Sequence, residues 1–303
     1  MKQSFRTEDL KLALERSLGF ALRSLVRLDG ASAVNFRAER ESDALVFLVK
    51  CSPKSRQVMF DHLVCHLREL EGAKAVHRLF ASECIGEFAG YNVICLSWCV
   101  GERMFPDRLS EAQLLAFLDD YQAFSRAMQK STGVVRHDPL LTWRAMTLLQ
   151  CTGICGHVLR SFVEREIPAE SVTYDEGRLR TIHGDFHHGN FLFVNGAVTG
   201  FFDLEEFCEG YPADDIVRYF VCAAEHLRWY ELWRLNRLLS RFALSVRHLP
   251  YAADEWTLAI NGLLMRKIFM KTRDGVGLFG LINLRFRARL YLKMRRLVSR
   301  AGL

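Results

Sequence analysis

Four residues offer chemistry in this chain: His183, Asp185, Asn190 and Asp203, all within TIHGDFHHGNFLFVNGAVTGFFDLEEFCEGYPADD, from Thr181 to Asp215. Between Asn190 and Asp203 stand two apolar runs, Phe191-Leu-Phe-Val194 and Ala197-Val-Thr-Gly-Phe-Phe202, separated by Asn195-Gly196. Asn-Gly between such runs predicts a hairpin with a two-residue type I′ turn. The hairpin folds the chain back, which brings Asn190 and Asp203 toward one mouth. An amide oxygen and a carboxylate there suit a hard cation such as Mg²⁺, which takes few protein ligands and keeps water or phosphate oxygens. Asp185 is spaced to face the same mouth as a base, and His183 to hold the loop rather than react. Each residue alone has a plainer use: Asp185 and Asn190 as turn caps, Asp203 as a strand end. Their combination in this order favours the chemistry.

The elements that must position them alternate early and become helical later. Thr7, followed by acidic residues, is expected to cap a first helix with Leu10, Leu14, Leu18 and Leu22 on one face. Strands are expected in SLVRLDG, AVNFRAER and ALVFLVK, broken at Asp29-Gly30 and at Glu41-Ser42-Asp43. A helix over Arg56–Leu70 and strands near Ile85–Glu87 and Tyr91–Trp98 complete this part. From Ser110, a Ser-x-x-Gln start precedes Leu114, Leu115, Leu118, Tyr121 and Met128 at helical spacing. The expected fold class is α+β and bilobal. A small β-rich lobe spans 1–98, a connector 99–103, and a larger, mainly helical lobe 104–303, with ligand expected at the junction.

Composition sets limits. The 303 residues are half hydrophobic and one quarter charged, which is the balance of a folded protein. A net charge of +6 is mild: it favours anionic partners without arguing for nucleic acid, and none is expected. Nine scattered cysteines without a CxxC pair read as free thiols. His62, Cys65 and His66 share a helical face but lack a fourth metal ligand, so packing is the expectation. The N-terminal MKQSFRTEDL has no apolar core, and no apolar run approaches a spanning length, so a cytoplasmic location is expected.

His183-Gly-Asp185-x-x-x-x-Asn190 followed by Asp203, with Gly210-Tyr-Pro212-x-x-Asp215 beyond, resembles the aminoglycoside phosphotransferase and choline kinase family, relatives of protein kinases. The resemblance implies a protein kinase-like fold that uses ATP and Mg²⁺. It assigns Asp185 as base or orienter of an acceptor hydroxyl, and Asn190 and Asp203 as metal ligands. Glu205 stands where protein kinases carry glycine, with either a place beside the metal or a solvent-facing position. Lys50, ending ALVFLVK, matches the phosphate-binding lysine. Its expected acidic partner from the next helix is Asp61 first and Glu69 second. Gly30-Ala-Ser32-Ala-Val-Asn35-Phe resembles a phosphate-covering loop, which puts Ser32 and Asn35 at the nucleotide. Trp98 falls at the hinge, beside adenine or packed in the core.

The implied function is transfer of the ATP γ-phosphate to a hydroxyl of a small molecule, with a sugar or sugar-containing metabolite as first choice. A choline- or ethanolamine-type kinase, or a silent nucleotide-binding scaffold, is the alternative. A protein kinase is disfavoured, since GxGxxG, HRD and an APE-like segment are missing. Arg285–Arg300 carries seven basic residues and no acidic one. That stripe is either a solvated face or a contact for an anionic acceptor, a glycan or an anionic membrane.

Overall fold

The structure, a computed structural model, describes residues 6–28, 33–70, 79–80, 85–128, 139–151, 153–167, 175–227, 230–273 and 278–301. In chain order its first elements are α1 (Thr7–Leu18), β1 (Leu22–Leu28), β2 (Val34–Arg40), β3 (Val46–Pro53), α2 (Gln57–Glu69), β4 (Ile85–Phe88) and β5 (Tyr91–Ser97). There follow α3 (Glu111–Met128), α4 (Pro139–Gln150), α5 (Gly153–Glu166), β6 (Arg180–Ile182), β7 (Phe191–Val194), β8 (Ala197–Phe201) and β9 (Cys208–Gly210). The chain closes with α6 (Pro212–Glu225), α7 (Leu232–His248), α8 (Ala253–Arg273) and α9 (Leu278–Arg300).

Two compact units result. One takes the described residues up to Glu102, the end of α3 from Arg126, and Phe191–Glu206. The other takes Arg103–Ser125, the described residues from there to Asn190, and those from Phe207 onward.

The first unit is built on an antiparallel sheet of order β1-β2-β3-β5-β4. Strand periodicity sends Phe36 and Ala38 of β2, and Phe47, Val49 and Cys51 of β3, into one core with Leu10, Leu14 and Leu22. Thr7 is the first helical residue rather than the cap: Arg6 takes the cap position without a side-chain bond. Leu22, expected on the first helix, lies in β1. Gly19 turns left-handed at φ 73° and bonds the Glu15 carbonyl, and the Glu15 carboxylate then accepts from the Leu22 N–H at 2.8 Å. The β7–β8 hairpin forms with Asn195 and Gly196 both at positive φ, as a type I′ turn requires.

The connector after β5 docks on this hairpin. Glu102 and Phe193 exchange two backbone bonds of 2.9 Å, and Thr199 Oγ1 donates to the Val100 carbonyl at 2.6 Å. Gly101 is required there: its φ is +135°, and a Cβ would come within 2.5 Å of the Phe193 oxygen.

The second unit is helical. Ser110 and Gln113 form a reciprocal capping box at the start of α3. Aromatic side chains of α3 and α6, among them Phe117, Tyr121 and Tyr219, pack with Phe186. α8 packs against α4, α6 and α9, and α7 against α6 and α9. The short pair β6–β9, absent from the sequence expectation, bridges Arg180–Ile182 to Cys208–Gly210. No described helix is long and apolar enough to cross a membrane.

Candidate active site

In the first unit, the alternation that buries Phe47, Val49 and Cys51 turns Lys50 to the other face of β3. Its neighbours there are α2, which packs on β3, and the 3-10 turn Leu204–Glu206 that follows the hairpin and packs on α2. Lys50 is 7% exposed, and its Nζ lies 2.9 Å from Asp203 Oδ1 and 2.8 Å from Glu205 Oε1. Burial disfavours the ammonium, but the two carboxylates outweigh it and raise the pKa above the ordinary lysine value. Glu205 is itself 8% exposed. Ser52 donates to it at 3.5 Å, and Arg56 stands 3.9 Å from its second oxygen. Asp203 adopts φ +62°, a conformation few side chains other than Asn and Asp accept readily.

Lys50 thus has acidic partners, but Asp61 is not one of them. Phe60, Leu63, Val64 and Leu67 form the buried face of α2, and Asp61 points outward, its carboxylate held by Gln57 at 2.7 Å. The Glu69 side chain and all of Ser32 lie outside the described residues. Asn35 pairs in register with Lys50, and its Oδ1 is buried without a hydrogen-bond partner among the described residues. Trp98 is half-buried just past β5, with the Arg37 guanidinium 5.9 Å from its ring centroid.

In the second unit, the loop after β6 is fixed by α6. Asp215, 1% exposed, accepts from the backbone N–H groups of His183 at 2.8 Å and Gly184 at 3.0 Å, and from the Tyr121 hydroxyl at 3.0 Å. Burial pushes the Asp215 carboxyl up, and the neighbouring Asp214 is pushed to about 7 by burial and by the charge of Asp215. His183 is fully buried beside Phe124, Phe186 and Phe207. Its Nδ1 accepts from the Asp185 N–H at 3.4 Å.

Asp185 is one-third exposed. Arg218 Nη1 sits 2.9 Å from Oδ1, and His187 Nε2 sits 3.3 Å from Oδ2. Burial works against its charge, but the His187 hydrogen bond and the Arg218 guanidinium outweigh it. They hold Asp185 well below the usual carboxylate range. Asn190 is 6% exposed and donates through Nδ2 to the Asp185 carbonyl at 2.9 Å and carboxylate at 3.3 Å. With that nitrogen committed, its amide oxygen is the end left for a cation.

Residues 153 positions apart in sequence, Lys50 and Asp203, are therefore brought together, as are His183, Asp185 and Asn190. Arg218 was not anticipated. Its signal is spacing: three residues after Asp215 on one helix, it shares a face with the residue that anchors the loop. Each of the two expected metal ligands, taken within its own unit, offers an oxygen of the kind Mg²⁺ takes. Asn190 Oδ1 and the Asp203 carboxylate are hard oxygens, and this ion needs few protein ligands. Among the described residues there is no group of three or more His, Cys, Asp or Glu placed to hold a metal ion.

A model of the phosphotransferase enzyme family matches residues 24–242, and the chain belongs to that family. Its fold is the protein kinase-like one, with a β-sheet N-terminal region and a helical C-terminal region. Solved structures of similar fold include the amicoumacin kinase hAmiN in complex with AMP-PNP, Ca²⁺ and amicoumacin. It shares 12% identity, covers 94% of each chain and has a TM-score of 0.62. Spectinomycin phosphotransferase APH(9)-Ia, with ADP and spectinomycin, shares 12% identity over 99% of this chain and 98% of that one, at TM-score 0.57. APH(3'')-Id from Streptomyces rimosus, with ADP and streptomycin, shares 15% over 97% and 99%, at TM-score 0.53. Comparison with curated protein sequences gives no match. Kinases of this family use ATP with a divalent metal ion such as Mg²⁺.

Proposed function

We propose that this phosphotransferase moves the γ-phosphate of ATP to a hydroxyl of a small molecule, with a sugar or sugar-containing metabolite as acceptor. The observation that carries the reading is the buried Lys50 between Asp203 and Glu205, a cation held in place on the strand where a phosphate clamp is needed. The sugar assignment is supported by spectinomycin and streptomycin in the structures of similar fold.

In this reading residues 1–98 hold the nucleotide, 99–103 serve as hinge, and 104–303 carry the catalytic loop and the acceptor. Lys50 positions the phosphates, and Ser32, Asn35 and Trp98 border the nucleotide. Asn190 and Asp203 hold Mg²⁺, which neutralises phosphate charge when bound. The acceptor oxygen forms its bond to the γ-phosphorus as the bond from that phosphorus to the β-γ bridging oxygen breaks, ADP leaves with that oxygen, and the hydroxyl proton passes to water. Asp185 accepts the hydrogen bond of that hydroxyl and aims it. A carboxylate stabilised by Arg218 and His187 is a weak base, so orientation is its main contribution. His183 acts by holding the loop.

The test is a panel of sugars, glycans and amino-alcohols incubated with the protein, ATP and Mg²⁺, then scored by mass spectrometry for gain of phosphate. A phosphorylated sugar that disappears without Mg²⁺ is the expected result. Phosphate gain by choline or ethanolamine alone would contradict the acceptor class. ATP binding with no product across the panel, and no basal ATP turnover, would instead mark a scaffold.

A further inference from the structure

α7 and α9 pack together, and neither contains an acidic residue. Several cations on these helices are matched by carboxylates from elsewhere: Arg234 with Asp107 and Glu231, Arg241 with Glu111, Arg295 with Glu166. Between the helices runs a groove of about 540 Å³, lined by Arg247 of α7 and by Lys293, Arg296 and Arg300 of α9. All four side chains belong to exposed residues, and among the described residues none is in an ion pair. Asn236 and Ser240 add polar groups to the same wall.

A solvated helix face would spread its cations outward along one helix. Here one cation of α7 and three of α9 line a single groove, an arrangement in which one bound anion could meet all four. The volume falls within the range of small-molecule sites. Guanidinium forks match phosphate oxygens in pairs, and two phosphate monoesters carry about −3 to −4, close to the charge of the four side chains. We infer that the α7–α9 groove is a binding site for a small polyanion bearing two or more phosphate-type groups. None of these residues hydrogen-bonds the His183–Asn190 loop, so the site stands on different observations from the proposed phosphoryl transfer.

The probe is inorganic tripolyphosphate, titrated calorimetrically into the full chain in metal-free buffer. Arg247→Gln/Arg296→Gln is expected to weaken binding at least about tenfold, with the melting temperature unchanged. Arg237→Gln/Arg289→Gln removes equal charge from exposed residues of the same helices that do not line the groove, and is expected to change affinity by less than about threefold. Equal losses in the two variants would show a general positive field and overturn the site, as would no measurable binding by the wild type. A parallel arm uses vesicles of phosphatidylglycerol and phosphatidylcholine. Vesicle binding that needs Arg247 and Arg296, without tripolyphosphate binding, would assign the surface to a bilayer and overturn the small ligand.

Discussion

The two charge clusters are near mirror images. In the first unit two carboxylates close on one buried cation, Lys50; in the second, Arg218 and His187 close on one carboxylate, Asp185. Lys50 is almost wholly buried, whereas Asp185 keeps a third of its side chain exposed. The difference bears on the roles proposed for the two groups. A cation sealed in this way is fixed in position and charge, which suits a clamp on phosphate. A carboxylate stabilised but reachable can accept a hydrogen bond from an incoming hydroxyl.

The largest expected effect falls on the reachable partner. Asp185→Asn should lower turnover by about 10²-fold or more, the cost of losing the group that aims the hydroxyl. Turnover within a few-fold of wild type would remove Asp185 from the reaction.

The sealed cluster is sharpened by comparing its actual and expected acids. Glu205→Gln leaves Lys50 with Asp203 alone, so the loss should be less than the roughly 3–5 kcal/mol of an orphaned buried charge, about 2 kcal/mol. Asp61→Asn should leave stability within about 0.5 kcal/mol, as for most surface changes. Denaturant melts of both variants decide it; a larger loss from Asp61→Asn would reverse the pairing described here. Asp203→Ala should weaken Mg·ATP by about tenfold, ~1.4 kcal/mol, while metal-free ATP changes much less. Equal losses with and without Mg²⁺, measured by calorimetry, would count against metal ligation.

A pH-dependent effect concerns the support of the loop that carries Asp185. Asp214, raised to about 7, binds its proton more tightly folded than unfolded. Its contribution to stability is therefore whole below the ordinary carboxylate pKa of about 3.9 and is lost as pH rises toward 7. Because Asp214 and Asp215 titrate as a pair, Asp214→Asn should gain on wild type by only roughly 1–2 kcal/mol between pH 4 and 7. A stability difference flat across that range would contradict the assignment.

What the sequence revealed of these clusters was the local part. Asn195-Gly196 dictates its own turn, and Lys50 in an apolar strand is conspicuous because such a strand rarely carries an ammonium. The family was legible too, through the spacing of His183, Asp185, Asn190 and Asp203. The partner of Lys50 was not, because the choice between Asp61 and Glu205 depends on which face α2 turns to the core and on where the hairpin delivers residues 153 to 155 positions away. Leu22 was misplaced for a similar reason: its apolar spacing continues α1, but the left-handed Gly19 ends the helix first. Strands as short as β6 and β9 carry too few residues for any periodicity to show.

The division of labour between the two clusters is tested most directly by the calorimetric affinity for AMP-PNP with Mg²⁺ in Lys50→Ala and Asp185→Asn. The account predicts a loss of at least about tenfold, ~1.4 kcal/mol, in the first and less than about threefold in the second. Wild-type affinity in Lys50→Ala, or an equal loss in Asp185→Asn, would contradict it.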